Sequence, residues 1–251
     1  MCGIVGLFLK DKSMEPELGT LLTDMLITMT DRGPDSAGIA IYGNKTSKIG
    51  KLTLQSNTPD VDFLNLKSDL AVSLKGSVQI GVKSSHAVLK VKSDQLTEVR
   101  KILKCIRPDI RIMSSGESLE IYKEIGLPKD VAVRFDLKNM TGTHGIGHTR
   151  MATESAVTTM GAHPFNTGPD QCLVHNGSLS NHNSLRRKLR RDGVHIETEN
   201  DTEVGAAYLT WKMQHGSTPV SYTHLRAHEP REDLGWRRGG GKKGGGGGGG
   251  G

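Results

Sequence analysis

The sequence predicts a mixed fold of helices and strands, α+β in class, and three observations carry that expectation. Residues 2–9, CGIVGLFL, form a short apolar and partly β-branched run that reads as a buried strand. Residues 16–29, PELGTLLTDMLITM, set Leu18, Leu21, Leu22, Met25, Ile27 and Met29 at roughly helical spacing. Residues 86–92 alternate as a strand should and lead into residues 94–106, where Leu96, Val99, Leu103 and Ile106 share one helical face.

Taken in order, the first strand pins the N-terminus into a core. The helix over 16–29 gives way to DRGPDSAG, where Gly33, Pro34 and Gly38 make a tight turn, and IAIY (39–42) returns as a strand. Pro108 stops the 94–106 helix, IRIM (110–113) reads as another strand, and residues 117–125 read as a short helix. Residues of about 57–136 therefore read as a small α/β insertion with its own partial core, bounded near Asn57 and Asp136. The block that follows, GTHGIGHTRMATES, HPF, QCLVHNGSLSNHNSLRRKLRRDG and HIETENDTEVGAAYLTWKM, embeds many polar residues among strand signals, which is how active sites are commonly built.

A chain of 251 residues has room for one large domain or two small ones, not for a long multidomain enzyme. Its apolar share of 35% and aromatic share of 4% are lean because residues 221–251 hold 12 of the 32 glycines and almost nothing to bury. Such a segment cannot fold by itself. It also carries +3 of the formal net charge of +6, and the remaining +3 over residues 1–220 is a poor footprint for nucleic acid. The one basic cluster, Arg186 to Arg191, reads either as a solvated helix face or as a dock for an acidic partner.

Cys2, Cys105 and Cys172 are too scattered for a disulfide framework or a structural zinc site, which fits a reducing cytoplasm. No signal peptide and no run of about 18 apolar residues is present, so the protein is expected to be soluble and unexported, with no membrane partner. No phosphate-binding loop occurs, and glycine fingerprints fall only in polyglycine, so no cofactor is expected. The His224 and His228 spacing in the tail is set aside, and no metal is expected.

Cys2 is the sharpest chemical feature. Removal of Met1, expected before a small second residue, would leave a thiol and a free α-amine on one residue, and such an amine can take the thiol's proton near neutral pH. A cysteine at position 2 can equally be incidental, but Gly-Ile-Val-Gly after it supplies a strand to fix the nucleophile and glycines to admit a substrate. Asn176 and Gly177, at the end of the strand CLVH, can donate to a developing oxyanion or can simply form a hairpin turn. Arg150 could fork onto a carboxylate and Asp201 could hold an ammonium, or each could be a surface ion-pair residue.

MCGIVGLF, DRGPDSAGIA, GIGHTRMAT, HPF, LVHNGSLSNH and ENDTEV stand in the order seen in class II glutamine amidotransferases, which the chain resembles over about residues 1–54 and 140–211. The resemblance implies a four-layer αββα sandwich of the N-terminal-nucleophile hydrolase type. It implies Cys2 as nucleophile, Asn176 and Gly177 as the oxyanion hole, Arg150 and Thr153 on the glutamine α-carboxylate, and Asp201 on its α-ammonium. Arg32 resembles the family arginine that packs beside the nucleophile, and His148 and His163 read as structural. Met151 stands where the family often has an aromatic and Glu154 where some members have histidine, departures that bear on glutamine affinity.

The opening motif and the long insertion are most similar to stand-alone glutaminase subunits of glutamate-synthase-like, N-methylglutamate synthase complexes. The implied activity is hydrolysis of glutamine through a Cys2 thioester, with ammonia passed to a separate synthase subunit. The rival reading is a non-catalytic interaction subunit that binds partners through residues 57–136, against which the intact set of motif residues argues. The family fold continues beyond ENDTE, so a native C-terminal part is expected to be missing. The tail SYTHLRAHE…, which resembles translated sequencing-adapter read-through, is expected to be non-native.

Overall fold

The computed structural model describes residues 2–46, 48–74, 76–152 and 156–217. Thr153, Glu154 and the tail 221–251 lie outside the described residues.

In chain order the elements are β1 (Gly3–Phe8), α1 (Leu18–Thr28), β2 (Ser36–Tyr42), β3 (Ile49–Gln55), α2 (Pro59–Asp62), α3 (Leu66–Leu74), β4 (Gln79–Lys83), β5 (His86–Lys92) and α4 (Leu96–Ile106). They continue with β6 (Arg111–Gly116), β7 (Leu119–Ile125), α5 (Pro128–Arg134), β8 (His144–Arg150), β9 (Phe165–Gly168), β10 (Gln171–Leu173), α6 (His182–Arg191) and α7 (Asp201–Gln214). Among the described residues the fold is α+β, with two four-stranded antiparallel sheets ordered β1-β8-β2-β7 and β4-β5-β3-β6 and a β9–β10 pair.

Strand alternation and helical periodicity together explain this assembly. Ile39 and Ile41 of β2 and Val5 of β1 turn to one face of the first sheet, where Leu18, Leu22 and Leu26 of α1 cover them. Ala40, between those isoleucines, points the other way and joins Ile121 of β7 and Met113 of β6. In the second sheet Leu52, Leu54, Ala87 and Leu89 pack against Leu66 and Leu70 of α3 and Val99 and Leu103 of α4. Each fully buried leucine of this kind contributes about 1.5–3 kcal/mol. A further cluster, Leu189, Ile196, Val204 and Ala207, joins α6 to α7.

One expectation is corrected. Residues 117–125 are not a short helix but the turn and strand of β7, paired in antiparallel register with β2 from Leu119↔Tyr42 to Ile125↔Ser36. Glu and Lys favour a helix locally, yet Leu119 and Ile121 face one cluster while Tyr122 faces another, a period of two that only a sheet satisfies. The Asp170 carboxylate fixes the turn by accepting from the backbone N–H groups of Glu117, Ser118 and Leu119. Strands within the segment 57–136 also pair with strands before it: β7 with β2 in the first sheet, and β5 and β6 with β3, a central strand of the second. The local core of that segment therefore leans on residues before it.

The basic cluster on α6 divides. Arg187, Lys188, Arg190 and Arg191 are exposed, but Arg186 is buried and donates to the carbonyls of Thr198 and Asn200.

Candidate active site

Cys2 sits immediately before β1, where the pairing Gly3↔Thr149 brings it to the end of β8. Thr149 Oγ1 accepts from the Gly3 N–H at 3.2 Å and donates to the Met29 carbonyl at 3.2 Å, so one hydroxyl ties the start of β1 to the end of α1. The Cys2 thiol is free and half-buried, with Sγ 3.8 Å from the Met151 carbonyl that accepts from it. The chain after β8 therefore lies directly against the sulfur.

Asn176 reaches the same residue from another element. Its Nδ2 donates to the Cys2 carbonyl at 2.9 Å, which uses one of the two N–H groups of the amide. Gly177 holds φ +154°, a conformation that suits glycine. Asn176 and Gly177 do not form a hairpin turn, because β10 ends at Leu173 and the chain runs on into α6. Val174 and His175, read as the end of a strand, lie beyond it.

Arg150, the last residue of β8, is buried, and its Nη1 donates to the Ala156 carbonyl at 3.4 Å. Asp201 opens α7, where Asn200 caps the helix by accepting from the Thr202 N–H at 2.8 Å. The Asp201 Oδ2 accepts from the Leu179 N–H at 2.7 Å, which joins the helix start to the loop after Gly177. Cys2, Arg150, Gly177 and Asp201 all line one cleft of about 710 Å³, with Met151, Met160, His163 and His175 also in its walls. A neighbouring hollow of about 890 Å³ shares Arg111, Met160, Glu197 and Thr198 with that cleft.

His148 and His163 stack at 4.1 Å between centroids. His148 Nε2 donates to the His175 carbonyl at 3.2 Å, and His163 Nε2 lies 2.8 Å from the Thr202 hydroxyl. Burial pushes His148 down to about 4 and His163 down to about 2, so both rings are neutral near pH 7. They join the loop before Asn176 to the start of α7.

Arg32 lies in the short turn after α1. It is exposed in the turn 30–32 and is not among the residues lining the cleft. The turn touches the site instead through Asp35, whose N–H donates to the Arg150 carbonyl at 3.1 Å and whose Oδ2 accepts from the Ala152 N–H at 2.7 Å. Asp35 went unread in the sequence; its place in an Arg-Gly-Pro-Asp turn is the signal that could have marked it. Among the described residues no cluster of three His, Cys, Asp or Glu side chains is arranged to hold a metal, and no helix is long and apolar enough to cross a membrane.

Residues 137–218, which hold the arginine, the Asn-Gly pair and the aspartate, match the glutamine amidotransferase domain. The chain is 65% identical over 216 residues to the glutamine amidotransferase-like protein GlxB of Rhizobium meliloti, an alignment covering 86% of this chain and 71% of that protein. It is 32% identical over 226 residues to a protein of Methanothermobacter thermautotrophicus whose name assigns it to the glutamine amidotransferases, covering 86% of this chain and 74% of the other. It is also 40% identical over 110 residues to the glutamine–fructose-6-phosphate aminotransferase of Methanosarcina acetivorans, a match to 43% of this chain and 17% of that enzyme. On this identity and coverage, the chain belongs to the glutamine amidotransferase family.

Proposed function

We propose that the protein is a class II glutamine amidotransferase acting as the glutaminase subunit of a glutamate-synthase-like complex. The observation that carries this reading is the convergence of Cys2, Arg150, Gly177 and Asp201 on one cleft, with Asn176 bonded to the backbone of Cys2. The succession of α1, the first sheet, the second sheet, and α3 with α4 supports a four-layer αββα sandwich of the N-terminal-nucleophile type. Residues 1–220 are its domain, elaborated by the segment of about 57–136, and residues 221–251 are a non-native tail.

In the proposed reaction Met1 has been removed and the α-amine of Cys2 takes the thiol's proton as Sγ attacks the side-chain carbonyl carbon of glutamine. The carbonyl oxygen becomes an oxyanion, for which the second N–H of the Asn176 amide and the Gly177 N–H are the donors. Collapse of the intermediate breaks the C–N bond, and the ammonium of Cys2 returns the proton to the leaving nitrogen, which departs as ammonia. Water then attacks the glutamyl thioester and releases glutamate. Arg150 and Thr153 bind the α-carboxylate of the substrate and Asp201 binds its α-ammonium. Ammonia passes to a separate synthase subunit in the cytoplasm.

The test is glutamate release from glutamine. Cys2→Ser is expected to abolish it, because a serine hydroxyl is far harder to deprotonate; retention of more than about a tenth of the activity would remove Cys2 from the mechanism. An N-terminal tag that blocks Met1 removal is expected to be nearly as damaging. An active enzyme whose tag is intact by mass spectrometry would sink the role of the amine.

A further inference from the structure

Strand β7 carries a buried lysine that the mechanism above does not use. Lys123 is 3% exposed, and its Nζ donates to the backbone carbonyls of Met160 at 3.2 Å, Ala162 at 2.8 Å and Pro164 at 3.3 Å. The same nitrogen lies 4.3 Å from the centroid of the Phe165 ring. An ammonium has three N–H donors, so three carbonyls and one aromatic face match it completely, whereas a neutral amine would turn its lone pair toward a carbonyl oxygen. None of the ion pairs among the described residues involves Lys123. Its partners are a loop rather than a carboxylate.

All four partners lie within residues 160–165, and that segment forms a wall of the cleft through Met160, Gly161 and His163. A Cβ at Gly161 would come within 3.0 Å of Arg150 Nη1, so the backbone packs directly on the guanidinium. The Gly161 carbonyl accepts from Asn200 Nδ2 at 3.3 Å, and His163 meets the Thr202 hydroxyl at 2.8 Å, so the same segment grips the residues on both sides of Asp201. One short stretch of backbone thus spaces Arg150 from Asp201.

We propose that Lys123 is a positioning residue for glutamine recognition, holding residues 160–165 so that Arg150 and Asp201 keep the separation that one glutamine α-carboxylate and α-ammonium require. The inference rests on the roles proposed for those two residues. Loss of the ammonium leaves three buried carbonyls unpaired, and the segment must move to satisfy them. Recognition of the α-groups then weakens, while Cys2 and Asn176, which Lys123 does not touch, are displaced less because the His163–His148 stack links them to the segment only indirectly.

The charged and titratable groups that act on or feel Nζ are Glu203 of α7, Glu197, His163 and His86 of β5. Burial pushes Lys123 down to about 7 against the attraction of Glu203 and Glu197. The hold on the loop is therefore strongest below neutrality and weakens as the amine loses its proton.

Glutamine hydrolysis by the full chain is compared for the wild type, Lys123→Met and Lys123→Gln, with iodoacetamide alkylation of Cys2 followed in parallel. KM is expected to rise about ten-fold or more in Lys123→Met and less in Lys123→Gln, with kcat changing by less than about three-fold and the alkylation rate by less than about two-fold. A lowered melting temperature with unchanged KM would make Lys123 merely structural and overturn the inference, leaving the glutaminase reading in place. A wild type that neither hydrolyses nor binds glutamine overturns both. If neither variant folds, the wild-type KM from about pH 6 to about pH 9 decides: a rise through neutrality supports the inference and a flat curve overturns it.

Discussion

The sheet β1-β8-β2-β7 and the sheet β4-β5-β3-β6 each bury one face under helices, yet among the described residues the candidate site residues at strand ends belong to the first, and the second reaches the cleft through Arg111 at the start of β6. Val5, Ile39 and Ile41 under α1 do for the first what Leu52, Leu54 and Leu89 under α3 and α4 do for the second. Cys2 precedes β1 and Arg150 closes β8, while Cys2, Arg150, Asn176, Gly177 and Asp201 all lie outside the strands of the second sheet. The same apolar alternation builds both sheets. The difference shows that a packed sheet is a support, and that chemistry depends on which polar groups its ends hold next to one another.

If that division is sound, damage at the site and damage to the second core should separate cleanly. Asn176→Ala is expected to lower kcat about 10²–10³-fold with little change in melting, because the lost donor acts where charge develops. A rise in KM alone would instead make Asn176 a ground-state binding residue. Leu70→Ala, in the core under the second sheet, is expected to cost about 2–5 kcal/mol of unfolding free energy in denaturant titration, with kcat/KM of the folded protein unchanged. A matching fall in kcat/KM would show that the core under the second sheet also shapes the cleft.

Acid should act on both sheets together. Burial pushes His148 of β8 down to about 4, His163 down to about 2 and His86 of β5 down to about 3, against a value of about 6.5 in an unfolded chain. Since the folded values lie below the unfolded one, the unfolded chain takes up the extra protons. Their stabilising effect is complete above about pH 6.5 and is lost as pH falls toward 4, by about 1.4 kcal/mol per pH unit for each imidazole. Urea midpoints measured across that window check the slope, and a midpoint that does not fall would mean the imidazoles are not buried neutral. The smallest effect is expected from deleting residues 221–251: their composition offers no core, so residues 1–220 should match the full chain in melting and in glutaminase activity. A drop of several degrees would overturn the reading of the tail as non-native.

The elements with strong periodicity were legible from the residues alone. The strand at 2–9, the helix within 16–29, the strand at 86–92 and the helix ending at Ile106 follow from apolar spacing, because each buries a single face whose period is local. The candidate cleft residues Cys2, Arg150, Gly177 and Asp201 were legible through ordered motifs, although their convergence was not, since they are scattered from residue 2 to residue 201. Residues 117–125 were misread because Glu and Lys make a helix locally plausible, and only pairing with β2 outweighs that preference.

What the sequence by itself determined is therefore the list of parts: alternating strands, an amphipathic helix, and the motifs that mark a glutamine amidotransferase. Tertiary structure alone decided that Arg32 faces solvent while Asp35 braces Arg150, that Arg186 leaves its charged neighbours to be buried, and that Lys123 is a loop anchor rather than a surface cation. The physical reason is common to all three. A charged side chain is stable in solvent or against buried carbonyls, and which of these surrounds it depends on elements distant in the chain.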